Sequence, residues 1–240
     1  MNRPEAIGDD GIPVRLREVQ ARIRAAVERA QRPPDSVALL AVGKTHGAEA
    51  VRAAYMAGQR AFGESYVQEA IEKIALLADL IDIEWHFIGR IQSNKIRQIA
   101  AHFDWVHGLS DPDHARRLSE QRPNDLPPLK VCIQVNVSGE TTKGGVEPSE
   151  VAALIAACGT LPGLDVCGLM TLPASAADED TQREPFRALR LLRDRLATQS
   201  RPLACLSMGM SDDLEAAILE GATLVRVGTA VFGPRPYNAG

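Results

Sequence analysis

Aromatic residues make up only 4% of this sequence, and no apolar run approaches the ~20 residues that a bilayer-crossing helix needs. The opening residues, MNRPEAIGDDG, are polar and acidic instead of basic and then apolar, so no secretory signal is expected and the reading is a cytoplasmic protein with no membrane partner. Positive charge is not in excess. The 27 Lys and Arg stand against 31 Asp and Glu, a net charge of -4, which excludes a nucleic-acid binder held by long-range attraction but leaves room for a local anion site. The four cysteines, Cys132, Cys158, Cys167 and Cys205, form no C-x-x-C pair and are read as reduced core residues. Five histidines form no H-E-x-x-H cluster, so no metal is expected. A serine-hydrolase elbow is also missing: Gly209 and Ser211 have its first spacing, but Asp213 stands where its last glycine belongs. The G-K-T triplet at Gly43, Lys44 and Thr45 lacks the upstream glycine of a phosphate-cradling loop, because Ala38 occupies that place inside an apolar run.

What is present is a regular alternation. The chain has 240 residues, 45% of them hydrophobic and 24% charged, as in an ordinary globular domain. Val14, Leu16, Val19, Ile23, Ala26 and Val27 recur at helical spacing, and Pro33-Pro34 ends this leading helix. Short apolar runs then predict strands at 36–42, 60–63, 84–88, 104–107, 129–136, 163–170, 203–206 and 223–227. Amphipathic stretches between them predict helices at 47–57, 66–79, 92–101, 112–121, 147–158, 182–199 and 212–220. Strands separated by helices pair in parallel through right-handed crossovers, and eight such units favour closure. The fold class is therefore α/β: a single (β/α)8 TIM barrel with an extra N-terminal helix. Residues 1–10 are expected to be a flexible N-terminus and 11–240 the barrel domain.

Barrels of this kind carry their ligand site at the C-terminal ends of the strands, which turns scattered polar residues into a constellation. Lys44 follows the first strand, Glu64 and Ser65 the second, and His107 the fourth. After the eighth, Gly228 and Thr229 open a short helix whose unpaired amides suit a phosphate. Ser207 and Ser211 lie next door in SMGMSDD, with Ser211 placed either as a ligand or as the cap of the following helix. Arg226, between Val225 and Val227, is either paired in the barrel mouth or aimed at a ligand. One amine, one phosphate cup and one arginine together suit a phosphorylated aldehyde.

The stretches LLAVGKTH, FGESYVQEA, WHFIGRIQSNK, VNVSGETTKGG, GLMTL and LSMGMSDDLEAAILEGATLVRVGTAVFG resemble the pyridoxal 5'-phosphate homeostasis proteins, relatives of the barrel domain of alanine racemase. The resemblance implies pyridoxal 5'-phosphate as cofactor, a Schiff base from Lys44, phosphate contacts from Ser207, Gly228 and Thr229, and Arg226 beside the pyridine nitrogen. Ser65 stands where the family usually has asparagine. It also implies holding, buffering and delivering the cofactor, to pyridoxal phosphate-dependent apo-enzymes as recipients, without robust catalysis. Barrel racemases take a second base from a tyrosine on an appended domain, which this chain is not expected to carry, so a monomeric, non-catalytic carrier is the leading expectation. A small amino-acid racemase is the alternative, and a cofactor-free Schiff-base lyase a third. Lys143, in GETTKGG, is read as a solvated loop lysine or as a guide for the anionic cofactor.

Overall fold

A computed structural model describes residues 11–139 and 144–234. The expected flexible segment 1–10 and Lys143 lie outside the described residues. Eight strands alternate with helices: β1 (Ala38–Val42), β2 (Ala61–Glu64), β3 (Glu84–Phe87), β4 (Trp105–Leu109), β5 (Leu129–Gln134), β6 (Leu164–Met170), β7 (Cys205–Ser207) and β8 (Leu224–Val227). Each pairs in parallel with the next, and β8 pairs with β1 to close the barrel. Both faces of a strand in such a barrel are covered, one by helices and one by the opposite wall, which is why these segments read as continuous apolar runs.

Preceding the barrel is α1 (Ile12–Arg29), and between the strands come α2 (Ala48–Met56), α3 (Val67–Leu76), α4 (Ile96–His102), α5 (Pro112–Glu120), α6 (Val151–Cys158), α7 (Glu179–Leu196) and α8 (Leu214–Leu219). A last short helix, α9 (Thr229–Phe232), follows β8. Helix α1 buries Ile12, Leu16, Val19, Ile23, Ala26 and Val27 and packs against α2, α8 and α9. Its arginines tie it down: Arg15 donates to the Val231 carbonyl, and Arg22 pairs with Glu215 at 2.7 Å. Val14 is exposed, so the apolar stripe starts from Ile12 instead.

Element boundaries shift where side chains intervene. Helix α7 begins at Glu179, three residues before the expected start, because the Asp178 carboxylate caps it by accepting from the Thr181 amide. The expected 92–101 helix opens as a 3₁₀ turn over Ser93–Lys95 before α4 proper. Helix α8 starts at Leu214, with Asp213 at the cap position, so Ser211 does not cap it. The Asp213 carboxylate instead accepts from the Met210 amide and holds Met210 to Asp213 in a turn.

Most apolar burial lies between the barrel and its helices. The barrel interior holds a much smaller apolar cluster of Leu40, Cys132, Met170, Cys205 and Leu224, and shares its space with buried His86, His107, Ser207 and Arg226. Gly168 of β6 lies in register with Cys132 and Cys205 on its two neighbours. A Cβ there would sit 1.8 Å from the Cys205 carbonyl oxygen, which only a separation of β6 from β7 could relieve. Gly168→Ala is therefore expected to cost about 3 kcal/mol or more in denaturant titrations. Gly47→Ala, where nothing lies within 4 Å, is expected to stay within about 0.5 kcal/mol of wild type.

Candidate functional site

At the C-terminal mouth of the barrel is a cavity of about 440 Å³. Lys44, Ser65, Ser211, Arg226, Gly228 and Thr229 all line it, so six of the seven site residues expected from the sequence meet in one place. Apolar walls come from Val42, Ile88, Met170, Leu172 and Met210, and His46 and Asp212 complete the lining. The seventh residue, Ser207, does not line the cavity. Its wholly buried hydroxyl lies beneath Arg226, accepting from that guanidinium at 2.7 Å and pairing with His107 Nδ1 at 2.8 Å.

Lys44 leaves β1 on a turn that is pinned from α3. The Lys73 ammonium, almost fully buried, donates to the Gly43 carbonyl at 2.7 Å, to Glu64 at 2.8 Å and to Glu69 at 2.6 Å. Glu69 also accepts from the Thr45 amide at 2.7 Å. These bonds hold Thr45 at a φ of 68°, a left-handed conformation that costs a β-branched residue on the order of 1–3 kcal/mol. Burial pushes the Glu64 carboxyl up to about 7, against the opposing pull of Lys73. Of this trio only Glu64 stood among the strand-end candidates; Lys73 and Glu69 were not expected from the sequence, although a Lys on the inward face of α3 had to find acidic partners.

Arg226 is wholly buried within β8. Its amide donates to Gly209 O, one terminal nitrogen donates to Ser207 Oγ and the other to the Thr171 carbonyl at 2.9 Å. Burial lowers its pKa to about 10, with Asp213 the leading opposing influence, so the guanidinium remains cationic at neutral pH. Of the strand-end candidates, His107 proves to lie within β4, which runs on to Leu109, and its ring is buried in the interior. His86, mid-way along β3, is its partner and was not expected. The legible clue was a polar residue in the middle of two neighbouring apolar strands, WHF and VHG.

Gly228 stands at the start of α9, where no side chain caps the helix. A Cβ on it would press on the Val42 carbonyl oxygen at 3.3 Å and narrow the cavity between β8 and β1. His46 stacks on Phe232 of α9 with ring centroids 5.2 Å apart, which ties the Lys44 turn to the Gly228 side of the mouth.

The Glu64 carboxyl gives the site a pH dependence of determined sign. Its pKa rises from an ordinary 4.5 to about 7 on folding, so the unfolded chain releases this proton first. The stability it contributes is complete below about pH 4.5 and is lost as pH rises through about 7, an effect on the order of 3 kcal/mol. Relative to Glu64→Gln, wild type is expected to lose stability over that window in denaturation titrations.

Comparison with known proteins identifies the family. The family model described as alanine racemase, N-terminal domain, matches residues 14–236. A pyridoxal phosphate homeostasis protein of Pseudomonas aeruginosa is 55% identical over 224 residues, covering 93% of this chain and 96% of that one. Its counterpart in Escherichia coli is 47% identical over 225 residues, with 93% and 96% covered. PipY of Synechococcus elongatus, solved with pyridoxal phosphate bound, superposes with a TM-score of 0.81 at 39% identity, over 92% of this chain and 100% of that one. The chain belongs to the alanine racemase N-terminal domain family, among the pyridoxal phosphate homeostasis proteins.

Proposed function

We propose that this chain binds pyridoxal 5'-phosphate at the barrel mouth and serves in its homeostasis, holding, buffering and delivering it. The observation that carries the reading is the gathering of a lysine, a buried guanidinium and an uncapped helix start in one cavity with apolar walls. These residues fit the group. Pyridoxal phosphate supplies an electrophilic aldehyde, which a primary amine captures reversibly with loss of water. Lys44 is the residue that holds the aldehyde carbon, on a turn fixed by Lys73 and Glu69. Gly228 and Thr229 hold the phosphate through the start of α9, and Ser211 and Ser65 offer further hydroxyls from the facing loops. Ile88, Met170, Leu172 and Met210 supply apolar contact for an aromatic ring. Arg226 presents a fixed cation, which favours an unprotonated ring nitrogen and weakens the ring as an electron sink.

Binding without robust catalysis is part of the proposal. Racemisation needs a second proton carrier on the far face of the substrate, the role of a tyrosine in barrel racemases, and among the described residues no tyrosine lines the cavity. The relatives named for homeostasis and not for a reaction support the same reading. The chain acts as a monomer in the cytoplasm, and pyridoxal phosphate-dependent apo-enzymes are the recipients.

Mixing purified protein with pyridoxal phosphate is expected to give a yellow absorbance band and, after borohydride reduction, a covalent adduct on Lys44 by mass spectrometry. Lys44→Ala is expected to abolish both, and a wild-type protein that forms no adduct would overturn the proposal. Single-enantiomer amino acids are expected to keep their optical activity in the presence of the loaded protein, whereas steady loss at an enzymatic rate would favour the racemase.

A further inference from the structure

Arg226 is a cation enclosed in the barrel, and its guanidinium donates to two uncharged oxygens, Ser207 Oγ and the Thr171 carbonyl. Behind Ser207 the hydrogen bonding continues through the interior. Ser207 Oγ meets His107 Nδ1 at 2.8 Å, His107 Nε2 meets His86 Nδ1 at 2.9 Å, and His86 Nε2 meets Glu84 Oε2 at 3.2 Å. Glu84, at the opposite end of the barrel, is 40% exposed and also accepts from Trp105 Nε1 and Lys130 Nζ.

The protons along this chain can be placed by elimination. A guanidinium only donates, so Ser207 Oγ accepts from Arg226. Hydrogen bonds from His86, then Trp105 and Lys130, hold the Glu84 carboxyl down to about 2, so it is ionised and only accepts. Burial lowers the pKa of His86 and puts that of His107 well below its ordinary value, so both rings are neutral and each carries one N–H. His86 must then carry its hydrogen on Nε2, facing the carboxylate, which leaves Nδ1 as an acceptor. His107 must donate from Nε2, which leaves its own Nδ1 as an acceptor, and the Ser207 hydroxyl must give its hydrogen to that atom. Any other tautomer sets two lone pairs or two hydrogens face to face in a buried site.

We propose that His86 and His107 are positioning residues for Arg226: they form a one-way hydrogen-bond relay from Arg226 through Ser207 to Glu84 that fixes the guanidinium at the cavity. The Ser207 hydroxyl, its one hydrogen committed to His107, presents only lone pairs to Arg226 and so orients the arginine instead of a phosphate. The relay makes the cavity sensitive to Glu84, a residue that does not line it and that sits at the far end of the barrel. The charged and titratable groups around the two rings are Glu84 and Asp104 at the far end, Lys130 on β5, and Arg226 on β8; Trp105 stacks on His86 with centroids 5.4 Å apart.

Two measurements test the relay. The first needs no cofactor: in 15N-histidine-labelled full-length protein, imidazole resonances assigned with His86→Gln and His107→Gln are expected to show both rings as neutral Nε2–H tautomers at about pH 7. An Nδ1–H tautomer, or titration near the ordinary histidine value of ~6.5, would overturn the proposal. The second rests on the cofactor-binding reading and follows pyridoxal phosphate titrations and the bound absorbance spectrum. Glu84→Ala and His107→Phe are each expected to weaken affinity about tenfold and to shift the bound absorbance maximum. Arg116→Ala, which breaks exposed ion pairs on α5 away from the relay and the cavity, is expected to leave both unchanged. Affinity and spectrum like wild type in Glu84→Ala and His107→Phe would also overturn it. If His107→Phe fails to fold, Glu84→Ala and the tautomers decide. If wild type binds no pyridoxal phosphate, the functional proposal fails while the tautomers still test the relay.

Discussion

The pairing of β8 with β1 is the constraint on which the rest of this molecule depends. It sets Leu40 opposite Arg226 and Ala41 opposite Val227, so the residues that follow β1 and those that follow β8 emerge side by side at one end of the barrel. Without that pairing both strands would expose a row of unsatisfied backbone groups, and Lys44 would have no fixed relation to Gly228 and Thr229. Closure thus solves the edge problem and builds the site in the same step. Helix α1 reinforces it by packing against α2, α8 and α9, the helices that flank these two strands.

A closed barrel with a small apolar interior must then house polar groups in a low-dielectric space, and two different solutions appear. At the Lys44 turn, opposite charges meet directly: Lys73 lies between Glu64 and Glu69 and uses its third donor on the Gly43 carbonyl. Around Arg226 the charge is met by neutral acceptors, with carboxylates at a remove. The first arrangement stiffens a strained turn. The second holds a cation rigidly while leaving it at the cavity wall. Both follow from the cost of leaving a buried polar group unmet.

Membership in the alanine racemase N-terminal domain family explains the scaffold without deciding the chemistry, because a barrel that holds a reactive cofactor serves an enzyme or a carrier according to what stands above the cofactor. In this chain the cavity combines one lysine with a fixed arginine and apolar walls. Under the proposed binding mode, with Lys44 on the aldehyde and Arg226 at the ring nitrogen, such a site would favour storage and release over turnover.

Much of this was legible in the sequence, for identifiable reasons. Short continuous apolar runs and period-3.6 patterns depend only on local geometry and burial, so all eight strands and their helices could be placed to within a few residues, and alternation with parallel pairing led to a barrel. The rule that such barrels use their C-terminal strand ends picked out Lys44, Ser65, Ser211, Arg226, Gly228 and Thr229, each of which lines the cavity. Where the reading missed, the cause was long-range packing. Ser207 ends a strand whose inward face is committed to Arg226 and His107, which local spacing does not reveal. Asp213 and not Ser211 stands at the cap position of α8, and its carboxylate turns back to accept from the Met210 amide. His86 and His107 became partners only when β3 was laid beside β4, and Lys73 met Glu64 only when α3 folded back over β2. The sequence by itself determined the elements, their order and the strand ends that could bear a ligand, since those follow from periodicity and chain direction. Only the tertiary structure decided which buried polar groups face one another, because hydrogen-bond partners are chosen by distance in space and not along the chain.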